Sequence, residues 1–251
     1  MRIVFLAVND EFAGYMQSCV YERHPEWVVG SLISTRPIYK RTKIGGLLLL
    51  LRTSGFIYLV HMIRMKITGK VLYRRKIATP EKLAKANKVA TYYSCNINDA
   101  ESLAQLAAWS PDLIISTNFS HYIGNRARRS GRFGTWNLHK SLLPHYRGMN
   151  PSFYALLNGE KKVGATLHKV AKGFDTGDIL CQIEVPISNG DSVESLNRKT
   201  SDLGGKMLTR YLEEVDLSDI GATPQPQGLW PNYSYPTRLD IKVFRKMGRS
   251  F

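Results

Sequence analysis

The segment NLHKSLLPHYRG, residues 137–148, decides how this sequence is interpreted. Asn137 and His139 stand two positions apart at the end of an apolar run, so a β-strand there directs both side chains to one face. The residues that follow, Ser141-Leu142-Leu143-Pro144, predict a sharp turn. Open α/β sheets bind their ligands at the carboxyl ends of their strands. We therefore expect a ligand site where this strand ends.

A second polar segment, KGFDTGDIL at residues 172–180, follows later in the chain. Asp175 and Asp178 flank a Thr-Gly pair, which predicts a tight bend that offers carboxylates and peptide groups to a ligand. A single histidine at a strand end is usually structural, and an isolated Asp-Thr-Gly-Asp segment is usually only a turn. Their combination in this order is more specific, and it makes Asn137, His139 and Asp175 the candidate catalytic residues.

The rest of the chain alternates apolar runs with helical segments, which predicts an α/β fold. Short apolar runs are typical of buried parallel strands, and they are RIVFLAV (2–8), WVVGSLIS (27–34), DLIIS (112–116) and GTWNLH (134–139). Two further strands are expected in VGATLHKV (163–170) and DILCQIEVP (178–186). The expected architecture is Rossmann-like, with a mostly parallel twisted sheet flanked by helices.

Helix starts are predicted from capping residues. Thr79-Pro80-Glu81 gives an N-cap and a proline at the first helical position, and Asn98 with Glu101 resembles a capping box. Gly190-Asp191, with Glu194 three residues further on, predicts the start of a long helix that ends near Val215. Beyond residue 220 the prolines predict loops and short elements.

Residues 36–76 interrupt the pattern with a basic and apolar insertion. Arg52 lies near its middle, and a central arginine costs about 2.5–3.5 kcal/mol in a membrane span, so two short helices broken near Thr53–Gly55 are expected instead. Either the helix pair meets anionic lipid or a phosphorylated ligand, or it packs on the domain or on a second subunit. We expect a catalytic domain at 1–215, including this insertion, and a C-terminal extension at 216–251 wrapped on it.

Charge and cysteine usage constrain the partners and the compartment. The formal charge of +15 favours anionic partners. Cys19, Cys95 and Cys181 are scattered without metal spacing, and the N-terminus has the pattern of a strand and not of a secretory leader. These features predict a cytoplasmic protein without a metal. Contact of 36–76 with an anionic membrane surface, and a homodimer, stay open.

The ordered motifs resemble those of the folate-dependent formyltransferases, which include the catalytic domains of methionyl-tRNA formyltransferase and the sugar N-formyltransferases. The matching residues run from about Pro111 to Pro186, in the order N-x-H-x-S-L-L-P-x-Y-R-G, N-G-E, G-A-T-x-H and D-T-G-D-I-L. Lys140 departs from the family, which commonly has Pro or Gly there, and it should point away from the matching positions. The resemblance implies 10-formyltetrahydrofolate as formyl donor, a primary amine as acceptor, and no metal.

The resemblance also implies roles for individual residues. Asn137 and a protonated His139 would donate hydrogen bonds to the developing oxyanion, and Asp175 would either hold His139 in its charged form or accept the proton of the amine. Ser141 would brace the loop. The pterin would be held largely by backbone groups of two loops, and the residues concerned are Ser120, His121, Tyr122 and Ile123 in one loop and Ala171, Lys172 and Gly173 in the other.

Several acceptors remain open. Methionyl-tRNA suits the basic charge, but those enzymes carry an extra C-terminal domain that about 35 residues cannot supply. Glycinamide ribonucleotide enzymes have a Gly-Ser-Asn loop where this sequence has Asn9-Asp10-Glu11-Phe12, and hydrolysis of the folate usually accompanies a regulatory domain. The favoured acceptor is an anionic small molecule, a nucleotide-linked amino sugar, and no nucleic acid is expected. Siderophore, antibiotic and lipid-linked amines are alternatives, as is a non-catalytic membrane-surface or interaction protein on the same fold.

Overall fold

The computed structural model describes residues 1–36, 43–72 and 78–251, with only the backbone described at residue 43 and residues 65–72. The remaining parts of the predicted insertion, 37–42 and 73–76, lie outside the described residues. The strands are β1 (Ile3–Val8), β2 (Val28–Ser34), β3 (Thr91–Ser94), β4 (Leu113–Thr117), β5 (Thr135–His139), β6 (Arg147–Gly148), β7 (Lys162–Lys169), β8 (Ile179–Pro186) and β9 (Asn232–Tyr233). The helices are α1 (Glu11–Arg23), α2 (Lys43–Thr53), α3 (Gly55–Leu72), α4 (Pro80–Ala86), α5 (Ala100–Trp109), α6 (Asn125–Arg128), α7 (Pro151–Leu157), α8 (Val193–Glu214) and α9 (Arg238–Lys246).

A mostly parallel sheet of seven strands forms the centre of the molecule, in the order β3-β2-β1-β4-β5-β7-β8. The strands from β3 to β5 pair in parallel, while β7 and β8 join as antiparallel strands. The predicted α/β class and its mostly parallel sheet are therefore confirmed. Strand order reverses beside β1, which is the point where open sheets of this kind form a ligand crevice.

Alternating residues of β1 pack into different clusters on the two faces of the sheet. Ile3 and Phe5 belong to a cluster that contains Met16 of α1, whereas Val4 and Leu6 belong to another that contains Leu106 of α5. All of these side chains are fully buried. The central strands are covered on both faces, which explains why they appear in the sequence as continuous apolar runs.

Two predicted helix caps differ in the structure. Asp99 caps α5 by accepting a hydrogen bond from Ser102 N, so the expected box of Asn98 and Glu101 is wrong. The amide of Asn98 instead bonds the backbone of the loop after β4. At α8 the cap is Ser192, which forms a reciprocal box with Ser195. A short polar side chain can bind several nearby peptide groups, and the sequence alone does not choose among them.

The insertion forms a helical hairpin, as the sequence predicted. Helices α2 and α3 meet at Ser54, inside the expected break. Leu50 and Tyr58 face inward and pack with Phe153 and Phe244 in a buried cluster. Among the residues that the structure describes, no helix is long and apolar enough to cross a membrane.

The C-terminal segment contains a helix that sequence analysis missed. Thr237 caps α9 and forms a capping box with Asp240, and Phe244 from this helix is fully buried. Strand β9 also pairs with β6. The expectation of loops and short elements after residue 220 did not include this helix. Its capping motif directly follows Pro236. The division into 1–215 and 216–251 remains a prediction.

Candidate active site

The carboxyl end of β5 places Asn137 and His139 on the same face, as the strand alternation predicted. Their neighbours Trp136 and Leu138 point to the opposite face and pack in the core. The turn that follows is braced from within, because Ser141 Oγ donates to His145 O at 2.7 Å. The expected bracing role of this serine agrees with that geometry.

Asp175 reaches the same place from the turn after β7. Its backbone has a φ of 51°, and its Oδ2 accepts a hydrogen bond from Gly148 N at 2.8 Å. The turn is tight at Gly177, where an added Cβ would lie 1.7 Å from Lys169 O. Glycine is therefore required there by close contact with the backbone.

The three candidate residues converge in space. His139 Nδ1 lies 3.7 Å from Asp175 Oδ2, and Asn137 Nδ2 lies 3.4 Å from Asp175 Oδ1. Both contacts are longer than ordinary hydrogen bonds, which is common before a substrate tightens a site. The structure thus brings together side chains that are 38 residues apart in the sequence.

His168 is a fourth member of the cluster, and sequence analysis gave it no role. Its Nε2 lies 3.1 Å from Asn137 Nδ2 and 3.5 Å from Asp175 Oδ1. Its Nδ1 lies 2.9 Å from Lys169 O, so this nitrogen carries the proton and Nε2 accepts from the Asn137 amide. The signal available in the sequence was the G-A-T-x-H motif, which ends at His168. The antiparallel register between β5 and β7 pairs this residue directly with Asn137.

The orientation of the Asn137 amide differs from the expectation. Its two N–H groups are directed to His168 and Asp175, and not to an empty oxyanion position. The contact with Asp175, at 3.4 Å, is the weaker of the two. One N–H can therefore be exchanged for a ligand oxygen at small cost, while His168 holds the amide in place.

Burial and charge control the ionisation of this cluster. Burial lowers the pKa of His139, and the nearby Asp175 carboxylate only partly opposes this effect. Burial alone would raise the pKa of Asp175, but the positive charge of the His139 and His168 rings when they are protonated, together with the Gly148 N–H, holds it well below its usual range. The resting site therefore combines an ionised Asp175 with a neutral His139, whereas the sequence interpretation had used a protonated histidine as oxyanion donor.

The proton position on His139 follows from its second contact. His139 Nε2 lies 3.0 Å from Tyr146 O and donates its proton to that carbonyl oxygen. Nδ1 of the neutral ring is then unprotonated and faces Asp175. A proton taken up at Nδ1 would lie between the ring and a carboxylate, which is a favourable place for an imidazolium.

The loop after β4 and the loop after β7, which were predicted to hold a pterin, contact each other. Tyr122 Oη donates to Lys172 O at 3.0 Å, and the Tyr122 ring meets Phe174 edge-on at 5.8 Å between centroids. Phe174 is 57% exposed. Ala171 and Gly173 lie in the second loop beside Lys172. An exposed aromatic edge between two loops suits a flat heteroaromatic ring.

The side chains at three positions of the first loop are used inside the protein. His121 Nδ1 accepts from Ile97 N at 3.1 Å, and its Nε2 lies 2.8 Å from Ser34 Oγ. Burial lowers the pKa of His121 to about 4. Ser120 Oγ donates to the backbone, and Ile123 is buried in the core. Any ligand contact from these residues would therefore come from the backbone, in agreement with the sequence expectation.

Lys140 lies beside the loop between β1 and α1. Its Nζ is 4.8 Å from the centre of the Phe12 ring, and Asp10 attracts its charge. Burial lowers the pKa of Lys140. The side chain turns toward Asp10 and Phe12, in keeping with the expectation that it points away from the matching positions, but its charge also contributes to the lowered pKa of His139.

Metal ligands are not clustered in the part of the chain that the structure describes. No group of three or more His, Cys, Asp or Glu side chains there could hold a metal ion. The His139, His168 and Asp175 side chains instead bond one another and the backbone.

Comparison with known proteins identifies the family. The Formyl transferase family profile matches residues 58–212. Methionyl-tRNA formyltransferase of Halalkalibacterium halodurans is 33% identical over 159 residues, which cover 62% of this chain and 50% of that protein. The chain thus spans about half the length of this relative.

Solved structures share the fold. Glycinamide ribonucleotide transformylase 1 from Symbiobacterium toebii aligns with a TM-score of 0.59 and 19% identity, covering 84% of this chain and 85% of its own. WlaRD, a sugar 3N-formyl transferase whose structure was determined with dTDP and 5-N-formyl-THF, aligns with a TM-score of 0.59 and 17% identity, covering 96% and 71%. The family profile extends over more than half of the residues, and the chain belongs to the formyl transferase family.

Proposed function

We propose that this protein transfers a formyl group from 10-formyltetrahydrofolate to a primary amine. The observation that carries the proposal is the convergence of Asn137, His139 and Asp175 at the carboxyl end of β5. Membership of the family supports formyl transfer as the reaction, and the bound 5-N-formyl-THF of WlaRD supports a folate donor. When bound, the folate supplies the activated formyl group.

The proposed folate site lies between the two contacting loops. Residues 120–123 and 171–173 would hold the pterin through backbone groups, and Tyr122 and Phe174 would form its aromatic edge. This assignment fits the structure because the His121 and Ile123 side chains are buried and leave the backbone to make the contacts.

Asn137 stabilises the negative charge that develops on the formyl oxygen. One amide N–H leaves its long contact with Asp175 and donates to that oxygen, while His168 keeps the amide oriented. A single donor of this kind typically contributes about 10²–10³ in rate.

His139 moves the proton. The amine nitrogen forms a bond to the formyl carbon and loses a proton to the unprotonated Nδ1, and Asp175 stabilises the resulting imidazolium. His139 then returns the proton to the folate nitrogen from which the formyl carbon departs.

The proposed acceptor is an amino sugar linked to a nucleotide. WlaRD, a sugar 3N-formyl transferase, aligns over 96% of this chain, whereas the glycinamide ribonucleotide transformylase aligns over 84%. The β1–α1 loop also lacks the Gly-Ser-Asn sequence. Methionyl-tRNA is a second candidate, because the relative from Halalkalibacterium halodurans is a methionyl-tRNA formyltransferase.

Release of tetrahydrofolate from 10-formyltetrahydrofolate tests both the reaction and the acceptor. The panel contains dTDP-linked amino sugars, methionyl-tRNA, hydroxylated ornithine and a glycolipid amine. We expect release that depends on one amino sugar. Release with methionyl-tRNA alone would show that methionyl-tRNA is the acceptor instead. No release with any amine, together with no binding of 5-formyltetrahydrofolate, would reject the proposed reaction.

A further inference from the structure

The α2–α3 hairpin has two apolar stripes on opposite sides. The inner stripe, with Leu50, Tyr58 and Leu59, is buried against the domain. The outer stripe is exposed, and its members are Ile44, Leu47 and Leu48 on α2 and Phe56, Ile57, Val60 and Ile63 on α3. Ile44 is 73%, Phe56 70% and Leu48 60% exposed. Contiguous apolar patches of this kind mark sites of interaction.

The hairpin is held firmly enough to present this outer stripe to a partner. Arg238 Nη2 donates to Leu51 O at 3.0 Å, close to the break between the helices. The Phe251 ring at the C-terminus stacks on His61 at 4.4 Å between centroids. Tyr58 Oη donates to Asn150 Oδ1 at 3.3 Å. These contacts attach the hairpin to the domain and leave the side chains of the outer stripe exposed.

Helix α9 extends the exposed surface and adds positive charge. Leu239, at 68% exposed, lies on α9, and Lys242, Arg245 and Lys246 are also exposed. A groove of about 620 Å³ separates α9 from the start of α3, with Phe56 on one side and these basic residues on the other. We call the outer stripe and the exposed residues of α9 the docking face.

The formal charge excess of the sequence falls in two segments, one that contains the hairpin and one that contains α9. Residues 36–76 contain eleven Lys and Arg and no Asp or Glu. Residues 238–249 contain five Lys and Arg and one Asp. These segments contribute +11 and +4, which equals the formal charge of +15, so the rest of the chain is neutral overall. Along the sequence, the excess is therefore confined to the segments that contain the hairpin and α9.

We propose that the docking face binds the surface of an anionic lipid bilayer. Such binding requires helices that lie in the plane of the interface and carry apolar side chains flanked by Lys and Arg. A symmetric contact between two copies would bring like charges together, which disfavours a second copy as the occupant. An anionic bilayer satisfies the apolar stripe and the positive charge together.

The inner side of the hairpin contacts the segment that reaches the candidate site. Tyr58 contacts Asn150, and Gly148 in the same loop donates to Asp175. Binding to lipid itself requires neither folate nor catalysis, so it can be measured independently of the proposed function.

Co-sedimentation of the full chain with vesicles tests this proposal. We expect the protein to pellet with vesicles of phosphatidylglycerol and phosphatidylcholine, to bind phosphatidylcholine alone weakly, and to be released by high salt. The variant K242Q/R245Q/K246Q should bind on the order of 100-fold more weakly, from the usual contribution of each basic residue. The matched control K82Q/K85Q/R129Q removes the same charge from exposed positions elsewhere and should bind as the parent does.

The apolar contribution is tested with L48Q/F56Q against the control L229Q, in which an exposed leucine outside the docking face is replaced. Only the first variant should lose binding. The proposal would be overturned if the parent protein showed no salt-sensitive binding to anionic vesicles. It would also be overturned if a variant and its control lost vesicle binding equally. A dimer in light scattering that L48Q/F56Q dissociates would show that a second copy covers the face instead.

Discussion

His139 and Asp175 have opposite ionisation preferences, and the difference sets the chemistry of the site. Burial favours the neutral form of His139, while the pKa of Asp175 is held low by the Gly148 N–H and by the charge that the neighbouring histidine rings carry once protonated. A neutral imidazole can accept a proton, and a carboxylate beside it stabilises the product of that step. Pairs whose environments separate their pKa values commonly mark acid and base roles.

Asp175→Asn tests this pairing. Asparagine tolerates the left-handed backbone at this position and keeps the size of the side chain, but it removes the negative charge. We expect kcat for formyl transfer to fall by about 10²–10⁴ and the pKa of His139 to fall further, measured by steady-state kinetics and by NMR titration of the ring. Asp202→Asn, on the partly exposed surface of α8, should change neither quantity. An unchanged pKa of His139 in Asp175→Asn would contradict the pairing.

Lys140→Met tests the influence of the residue that departs from the family pattern. Lys140 is positively charged and helps to lower the pKa of His139. Removing this charge should raise the pKa of His139 in an NMR titration, whereas Lys206→Met on α8 should leave it unchanged. A pKa that stays constant or falls in Lys140→Met would show that the lysine charge does not act on the ring.

At the scale of elements, the turn after β7 determines where the Asp175 carboxylate lies. Gly177→Ala places a methyl group 1.7 Å from Lys169 O, so the turn must shift. We expect the free energy of unfolding to fall by about 1–3 kcal/mol, measured by urea denaturation, together with a loss of kcat. Gly221→Ala is the matched control, because an added Cβ there meets nothing within 4 Å. Equal stability of the two variants would refute the close-contact argument.

Elements with a clear alternation or break in their apolar residues were predictable from the sequence, and elements that depend on contacts distant in the sequence were not. The alternation in β5 predicted the shared face of Asn137 and His139, and the break near Ser54 was also expected. The role of His168 was missed because it depends on the register between β5 and β7. Helix α9 was missed although its capping box of Thr237 and Asp240 is visible in the sequence, because the prolines before it favoured loops and the burial of Phe244 depends on distant contacts.

At the scale of the molecule, buried histidines should make the fold sensitive to acid. Burial lowers the pKa of His61 and of His121 to about 4, and it lowers the pKa of His139 as well. The unfolded chain, with ordinary values near 6.5, binds these protons more tightly. The stability that neutral histidines contribute is therefore complete above about pH 6.5 and is lost as the pH falls toward 4.

Urea denaturation across this pH range measures the effect. Each proton changes the free energy of unfolding by at most about 1.4 kcal/mol per pH unit, and by less where water reaches the ring. We expect a lower urea midpoint at acid pH. In His121→Gln the midpoint should depend less steeply on pH. A midpoint that does not change between neutral and mildly acid pH would contradict the assignment of neutral buried histidines.

Formation of a formylated amine is the measurement that tests the central claim most directly. The protein is incubated with 10-formyltetrahydrofolate that carries an isotopic label in its formyl group and with the amine that supports tetrahydrofolate release, and the product is analysed by mass spectrometry. We expect one labelled formyl group on the amine with the parent protein and almost none with His139→Ala. Label recovered only as free formate, or the same yield from His139→Ala, would contradict formyl transfer by this site.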